Sequence, residues 1–351
     1  MCMNSTIRQI LSLMACVLIL LIGSSKGSTE PIRLGWQVPW ATQGQLVMAL
    51  KYSNILQSLG LEIEFIGFPY GGPLNRAALA GEIDILLTAD QPAITLLANS
   101  SDFTIAARMM YNRICLYVSP ASNIMSLADL GGKSIMGPVG AAAERVALSA
   151  LLNAGIDLSS IHFGYLDMNG QSALLRRSGP NVNWHGVDAL YGFDPLPAMW
   201  EDQGLTRSLY CESVVSVVVA RKEMFIERRK QLENFILALN LAWYLFSRSP
   251  EQLNKIFSKE SGLNASQAAL NIAASVEPNR FVKRWEEVRL GFEPMDYDAL
   301  TQTMYFLKDR GIINKSIDLR SRIDTSLLET SLKQPGIAKI AEEMTIKYES
   351  D

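Results

Sequence analysis

Histidine and cysteine are scarce in this sequence, and their scarcity argues against several kinds of enzyme. Only His162 and His185 occur among 351 residues, and the four cysteines are not clustered. Zinc and similar metals need several such ligands at short spacings. The chain also lacks a phosphate-binding loop with its lysine and a dinucleotide-binding glycine fingerprint. We therefore expect a protein that is not an enzyme and that uses no metal and no cofactor.

An excess of basic charge is also missing. The chain has 32 Lys and Arg residues against 35 Asp and Glu residues, with no basic stripe. Proteins that bind nucleic acid rely on such a stripe to neutralise phosphates, so we expect no nucleic-acid partner. Repeats and heptads are absent as well. The apolar fraction of 48% is ordinary for a globular protein, and the length allows two domains.

The one long apolar run is too short to cross a membrane. It covers residues 10–22, whereas a spanning helix needs about 20 apolar residues. Arg8 precedes the run, and the small residues Ser25 and Gly27 follow it. This order is typical of a secretory signal peptide, so we predict that residues 1–27 are cleaved. The exported, periplasmic or extracytoplasmic chain that remains has 30 cationic and 35 acidic side chains, a net charge of −5.

After the signal segment, short apolar stretches alternate with helical stretches. IRLGW (32–36) and IDILLT (83–88) have the character of buried strands, and QLVMALKYSNILQSLG (45–60) has helical spacing. Such alternation predicts an α/β fold in which helices flank mostly parallel sheets. Further predicted strands are 61–68, 103–109, 113–119, 134–138, 161–166, 187–193 and 213–220. Further predicted helices are 74–82, 92–99, 141–154, 225–246, 250–259, 265–275 and 297–310.

Several segments, taken in order, resemble the exported substrate-binding proteins of ABC importers. They are GWQVPWATQGQLVMAL, LAGEIDILLTADQPA, SLADLGGKSIMGPVGAAAERVALSALLNAGID, VDALYGFDPLPAMWEDQG and VVVARKEMFIERRKQLENFILALNLAWYLFSRSPEQ. The resemblance covers residues 32–330. It is to the group that binds sulfonates, taurine, nitrate or thiamine-pyrimidine precursors. The sequence departs from the family pattern at Ala89, where the family has glycine, and at Ala141 and Ala142, where hydroxyl residues are usual.

The resemblance implies a type II periplasmic binding fold. Lobe one would comprise residues 32–117 and 213–351, with a helical C-terminal part packed on it, and lobe two residues 118–212. Each lobe would be a mostly parallel sheet flanked by helices. Two crossover strands would join the two lobes. The protein would then be a monomeric receptor that closes around a small organic solute. Its partners would be an ABC permease and the ATPase of that permease.

Cys115 and Cys211 would each begin one of the crossover strands. The exported compartment permits disulfides. Neighbouring strands seldom offer the geometry that a disulfide demands, so two separate thiols are the expectation and a bridge is the alternative.

The resemblance places the solute between the lobes, near the carboxyl ends of the strands. The residues expected there are Gln37, Pro39, Trp40, Gln43, Tyr70, Gly71, Thr88, Ala89, Asp90, Gly140, Ala141, Ala142, Glu144, Tyr191 and Asp194. Alternatives remain for several of them. Trp40 could pack in the core as we expect of Trp36, Asp90 and Asp194 could cap helices, and Glu144 could face solvent.

The residues expected at the site also predict the character of the solute. Asp90, Glu144 and Asp194 bring acids to the predicted cleft, and we expect Arg145 to point away from it. Nitrate or another small bare oxyanion is therefore disfavoured, and a larger, amphiphilic or nitrogen-bearing solute is favoured. The remaining alternatives are a surface sensor on the same fold and a thiamine-pyrimidine biosynthetic enzyme.

Overall fold

One eight-stranded sheet runs through the structure, a computed structural model that describes residues 30–349. The predicted signal peptide therefore lies outside the described residues. The strands are β1 Ile32–Gln37, β2 Ile63–Phe68, β3 Ile85–Ala89, β4 Phe103–Val118, β5 Ser134–Gly137, β6 His162–Tyr165, β7 Ala189–Phe193 and β8 Arg207–Arg221. Their order in the sheet is β2-β1-β3-β8-β4-β7-β5-β6.

The sheet consists of two parallel groups on either side of a central antiparallel pair. In the first half-sheet, β1 pairs in parallel with β2 and β3. In the second half-sheet, β5 pairs in parallel with β6 and β7. Between them, β4 and β8 pair antiparallel with each other, with β8 also bordering β3 and β4 bordering β7. The predicted α/β class is confirmed, while the division into two lobes stays a prediction.

Fourteen helices flank the sheet in the part of the chain that the structure describes. They are α1 Gln43–Lys51, α2 Ile55–Ser58, α3 Gly71–Leu79, α4 Asp90–Asn99, α5 Ala142–Asn153, α6 Met168–Ser178, α7 Leu196–Asp202, α8 Lys222–Ile226, α9 Arg229–Arg248, α10 Pro250–Glu260, α11 Gln267–Ala274, α12 Pro294–Asp309, α13 Ser326–Leu332 and α14 Ile337–Glu343. Both α10 and α12 begin with proline, which lacks an N–H where the first turn needs none.

Two sequence predictions about single elements are wrong because of tertiary contacts. The helix predicted over 45–60 is broken into α1 and α2, where Ser53 forms a β-bridge with Ile346 and Tyr52 accepts a hydrogen bond from Lys347. The separate strands predicted at 103–109 and 113–119 are one strand, β4. It pairs with β8 along its whole length, and the pairing register shifts at three places.

Buried charges connect the C-terminal part of the chain to β4. Arg108 and Glu277 form an ion pair with fully buried side chains. Asp296, at the start of α12, accepts a hydrogen bond of 2.6 Å from the Tyr111 hydroxyl and pairs at 2.6 Å with Arg289. Buried ions are costly unless every one of them is paired, so this network fixes how the C-terminal part meets the sheet.

Cys115 on β4 and Cys211 on β8 are joined by a disulfide, which makes the expectation of two thiols wrong. The two residues are directly opposite each other in the ladder, with Cα atoms 4.1 Å apart. Directly opposed residues of an antiparallel pair can approach this closely when they do not exchange hydrogen bonds. The pairing register of β4 and β8 therefore decided the bridge. Cys115 is fully buried, whereas Cys211 is exposed.

We predict that reduction of this disulfide destabilises the protein. The bridge closes a loop with a sequence separation of 96, so it should contribute roughly 2–5 kcal/mol to the free energy of unfolding. Urea unfolding with and without a reductant measures the change. The Cys115→Ser, Cys211→Ser double variant is the control and should be insensitive to reductant. Two free thiols in denatured, unreduced protein would contradict the bridge.

Candidate functional site

The carboxyl ends of strands from both half-sheets meet near the central β4–β8 pair. Ligands of open α/β folds bind at such strand ends. Most of the predicted site residues are buried there. They are Gln37, Trp40, Gln43, Gly71, Thr88, Ala89, Asp90, Ala141, Ala142, Tyr191 and Asp194. Pro39, Tyr70 and Glu144 are partly buried, and Gly140 is exposed.

An ion pair joins the two half-sheets at this place. Asp90, the first residue of α4, lies 2.8 Å from Arg145 of α5, with exposed side-chain fractions of only 1% and 10%. The other nitrogen of the Arg145 fork is 3.5 Å from Glu212 on β8. Thr303 on α12 donates a hydrogen bond of 2.9 Å to Asp90. Asp90 is not the helix cap, because Ala89 holds that position.

Arg145 is the site residue that sequence reasoning missed. The expectation that it points away from the cleft is wrong, since its guanidinium reaches Asp90. A signal was present in the spacing. Arg145 lies three residues after Ala142, and residues three apart share a helix face. The same face that carries the predicted Ala142 therefore also carries the arginine.

Aromatic side chains from the two half-sheets also touch. The ring centroids of Trp40, after β1, and Phe193, at the end of β7, are 5.4 Å apart. Trp40 is 2% exposed, and Trp36 is buried in the strand before it. Trp40 is therefore a core residue, and it also takes part in the contact between the half-sheets. Asn112 of β4 holds the turn that follows, donating to the Ala41 carbonyl at 3.2 Å.

The buried Gln43, at the start of α1, forms hydrogen bonds with the backbone of two strands. The Gln43 side chain accepts a hydrogen bond of 2.6 Å from the Gln37 N–H and donates to the Leu87 carbonyl at 3.3 Å. The Gln37 amide nitrogen lies 3.5 Å from the Thr88 hydroxyl. Gln43 therefore connects the end of β1 to β3.

The start of α3 needs glycine because α4 lies so close. A Cβ atom at Gly71 would come within 2.5 Å of the Pro92 ring. Burial, and after it the neighbouring Tyr70, raises the pKa of Tyr165 at the end of β6 to about 12. This loop therefore also lies where the first half-sheet meets the second.

Glu144 folds back onto the start of its own helix instead of facing solvent freely. One carboxylate oxygen accepts a hydrogen bond of 2.7 Å from the Gly140 N–H. Burial raises the pKa of Glu144, although the Gly140 hydrogen bond and the charge of Arg310 act in the opposite direction. Burial, and after it the charge of Glu144, raises the pKa of Tyr191. The Tyr191 ring fills the space where Gly137 has no side chain.

Asp194 is a buried acid just before α7, whose N-cap position is held by Pro195. It pairs with Arg113 of β4 at 2.6 Å. It also accepts a hydrogen bond of 3.1 Å from the Ala198 N–H in the first turn of α7. Burial raises the pKa of Asp194, and the paired Arg113 opposes this effect.

A cavity of about 390 Å³ opens between α3, α4 and the segment before α5. It brings together Gly140 and Glu144 with side chains from the first half-sheet, among them Asn75, Gln91 and Leu96. Gln91 and Glu144, the sequence neighbours of Asp90 and Arg145, line this cavity, whereas Asp90 and Arg145 themselves do not. Within residues 30–349 no group of three or more His, Cys, Asp or Glu side chains is placed to hold a metal. Those residues also contain no helix that is long and apolar enough to cross a bilayer.

Comparison with known proteins gives the fold. No protein-family model and no curated protein matches the sequence. The structure is similar to the alkanesulfonate-binding protein SsuA from Xanthomonas axonopodis pv. citri bound to MOPS, with 20% identity and a TM-score of 0.67 over 85% of this chain and 99% of that one. It is also similar to the periplasmic aliphatic sulphonate binding protein SsuA from Escherichia coli, with 21% identity and a TM-score of 0.67 over 85% and 92% of the chains.

An enzyme shares this architecture. The desulfurization enzyme DSZB is similar with 14% identity and a TM-score of 0.61, over 86% of this chain and 99% of that one. At such identities the likeness shows the fold alone. The chain therefore has the fold of periplasmic binding proteins, which carries both solute receptors and at least one enzyme.

We predict that Glu144→Gln removes a pH dependence of stability. Because the pKa of Glu144 is raised in the folded protein, the fold binds its proton more tightly than the unfolded chain does. The free energy of unfolding of the wild type should therefore fall as pH rises from the ordinary pKa through the raised one. One proton can change the stability by at most about 1.4 kcal/mol for each pH unit between the two pKa values, and solvent screening of the partly exposed carboxyl makes the loss smaller. The variant should lack this contribution.

Urea midpoints of both proteins between about pH 4 and pH 8 measure the difference. Glu329→Gln, at a side chain that is 82% exposed, is the matched control and should parallel the wild type. A stability difference between Glu144→Gln and wild type that stays constant with pH would show that the carboxyl is not perturbed.

Proposed function

We propose that this protein is an extracytoplasmic solute-binding receptor that delivers a small organic solute to an ABC import permease and its ATPase. The observation that carries the proposal is the buried polar contact between the half-sheets, centred on Asp90 and Arg145 and placed at the strand ends of a periplasmic binding fold. Groups of both charges meet there, and Trp40 and the Gln37 and Gln43 amides belong to the neighbouring segment from the end of β1 to the start of α1. Such a mixture suits recognition of a solute that is polar at one end.

The two half-sheets would form the two lobes, with β4 and β8 as the hinge strands between them. Closure of the lobes about these strands would enclose the solute, as in hinge motions of binding proteins. It would also bring surfaces of both lobes together for recognition by the permease. The chain would be exported and would act as a monomer.

The solute would be of the sulfonate, taurine or thiamine-pyrimidine kind. The solved neighbours named above bind sulfonates, which supports the first of these. Nitrate is disfavoured, because Ala141 and Ala142 offer no hydroxyls and Glu144 already accepts the Gly140 N–H.

A second candidate, an enzyme on this fold, is favoured only by the likeness to DSZB. Both cysteines among residues 30–349 form the disulfide, so neither offers a nucleophilic thiol. Neither His162 nor His185 lies among the contacts at the strand ends described above.

We predict that a solute of these classes raises the melting temperature. A ligand that binds only the folded state stabilises it by about 2.7 kcal/mol at a hundredfold excess over its dissociation constant. Thermal unfolding with alkanesulfonates, taurine, pyrimidines and nitrate should show a shift with some members and none with nitrate. Native mass spectrometry of purified protein is the second measurement. No shift with any member together with no bound small molecule would contradict the receptor function.

A further inference from the structure

Another cavity, of about 380 Å³, is enclosed by α9, the segment 286–291 and α13. None of the predicted site residues lines it. Its rim carries the exposed Glu286, Glu287 and Glu329. Small-molecule sites are typically of this size, with mostly apolar walls and a few polar groups that fix the orientation of the ligand. The apolar walls of this cavity are formed by Ile236, Val288, Leu290, Leu328 and Leu332.

The polar group inside this cavity is the amide of Asn240. Asn240 of α9 lines the cavity, and it is fully buried. Among residues 30–349, neither its amide oxygen nor its amide nitrogen has a hydrogen-bond partner. A side-chain amide offers two N–H donors and an oxygen with two lone pairs. Buried polar groups of native proteins are nearly always paired, so this amide points to a partner that the chain itself does not supply.

The position of Asn240 in the sequence makes the unpaired amide unfavourable for folding. It is the one residue outside the apolar set in the run FILALNLAW, residues 235–243. Asparagine is a poor helix former, and its side chain commonly bonds to nearby backbone groups. The Asn240 side chain makes no such bond in the described part of the chain. Neither helix formation nor packing therefore accounts for an amide at this position, whereas binding does.

The charged groups around the cavity disfavour an ion as the ligand. Among the described residues that line it, three carry carboxylates and one, Arg289, carries a guanidinium. That guanidinium is already held, because it lies 2.6 Å from Asp296 and donates to the Tyr111 hydroxyl at 2.8 Å. An anion would therefore meet carboxylates and an engaged cation. An ammonium group could donate to the Asn240 oxygen but could not accept from its nitrogen.

We propose that this cavity binds a small neutral molecule in which a carboxamide-type group, such as a carboxamide, a lactam or a urea, pairs with the Asn240 amide. Such a group donates to the Asn240 oxygen and accepts from its nitrogen, so both atoms gain partners. The apolar body of the molecule packs against the aliphatic walls. This binding site goes beyond the proposed receptor function and does not rest on it, because it shares no residue with the predicted site at the strand ends.

Benzamide, benzoate and toluene test the proposal, because they share one ring and differ in the polar group attached to it. NMR titration of the purified protein measures the three affinities. We expect benzamide to bind at least about fivefold more tightly than either of the others. A smaller preference, or no binding by benzamide, would overturn the inference. Absence of binding would mean that water alone meets the amide.

Asn240→Leu replaces the amide with an apolar group of similar shape. It should remove the preference for benzamide, and it should raise the melting temperature of the unliganded protein because it removes an unpaired buried polar group. Asn153→Leu, at the exposed last residue of α5, is the matched control and should leave the benzamide preference unchanged. A retained benzamide preference in Asn240→Leu, or a lowered melting temperature, would show that the amide has a structural role instead.

Should Asn240→Leu fail to fold, Gly291→Leu tests the same cavity from another side. A Cβ atom at Gly291 would meet only Leu328 Cδ1, at an ordinary contact distance of 3.9 Å, and both residues line the cavity. The larger side chain should therefore exclude all three probes while the fold is retained. Gly131→Leu, at an exposed glycine whose Cβ would meet no atom within 4 Å, is the control and should bind the probes as the wild type does.

Unchanged benzamide binding by Gly291→Leu would place the probe elsewhere and refute the inference. The two proposals also fail separately. Loss of the benzamide preference leaves the melting-temperature shifts with the solute panel untouched, and failure of that panel leaves the affinities for benzamide, benzoate and toluene untouched.

Discussion

The pairing of β4 with β8 is the constraint on which the rest of the structure depends. These two strands are the only connection between the half-sheets within the sheet described, and their register runs from Phe103 opposite Arg221 to Val118 opposite Arg207. The register places Cys115 opposite Cys211 and brings Glu212 to the junction. The β4–β8 pair fixes the positions of both half-sheets. It therefore also fixes which strand ends of the first half-sheet lie near those of the second.

Paired charges are the second principle of this molecule. Arg108, Arg113 and Arg145 each pair with a buried carboxylate, and each such acid also accepts a hydrogen bond from another group. Burying a charge alone costs several kcal/mol, so the arginines occur where an acid from a distant segment can reach them. The Arg108 network is fully enclosed and is structural. The Arg145 cluster joins elements of the two half-sheets and includes Glu212, whose side chain is 33% exposed.

Local sequence signals predicted most elements because they depend on short-range physics. Apolar strands such as β3 and the proline-led start of α10 were found within a residue or two of their observed limits. Predictions failed where a distant segment intervenes. The break between α1 and α2 requires Ile346, and the unbroken course of β4 requires β8. Neither partner is visible in a local window.

The sequence by itself determined the α/β class and most of the strands and helices, because apolar periodicity and turn residues act over a few positions. The tertiary structure alone decided which side chains from distant segments meet. Asp90 and Arg145 are 55 positions apart, and their contact depends on how α4 and α5 are carried by different half-sheets. The disulfide and the contact of Trp40 with Phe193 have the same origin. Each depends on strand register and packing, which are properties of the assembled sheet and are not encoded in any short segment.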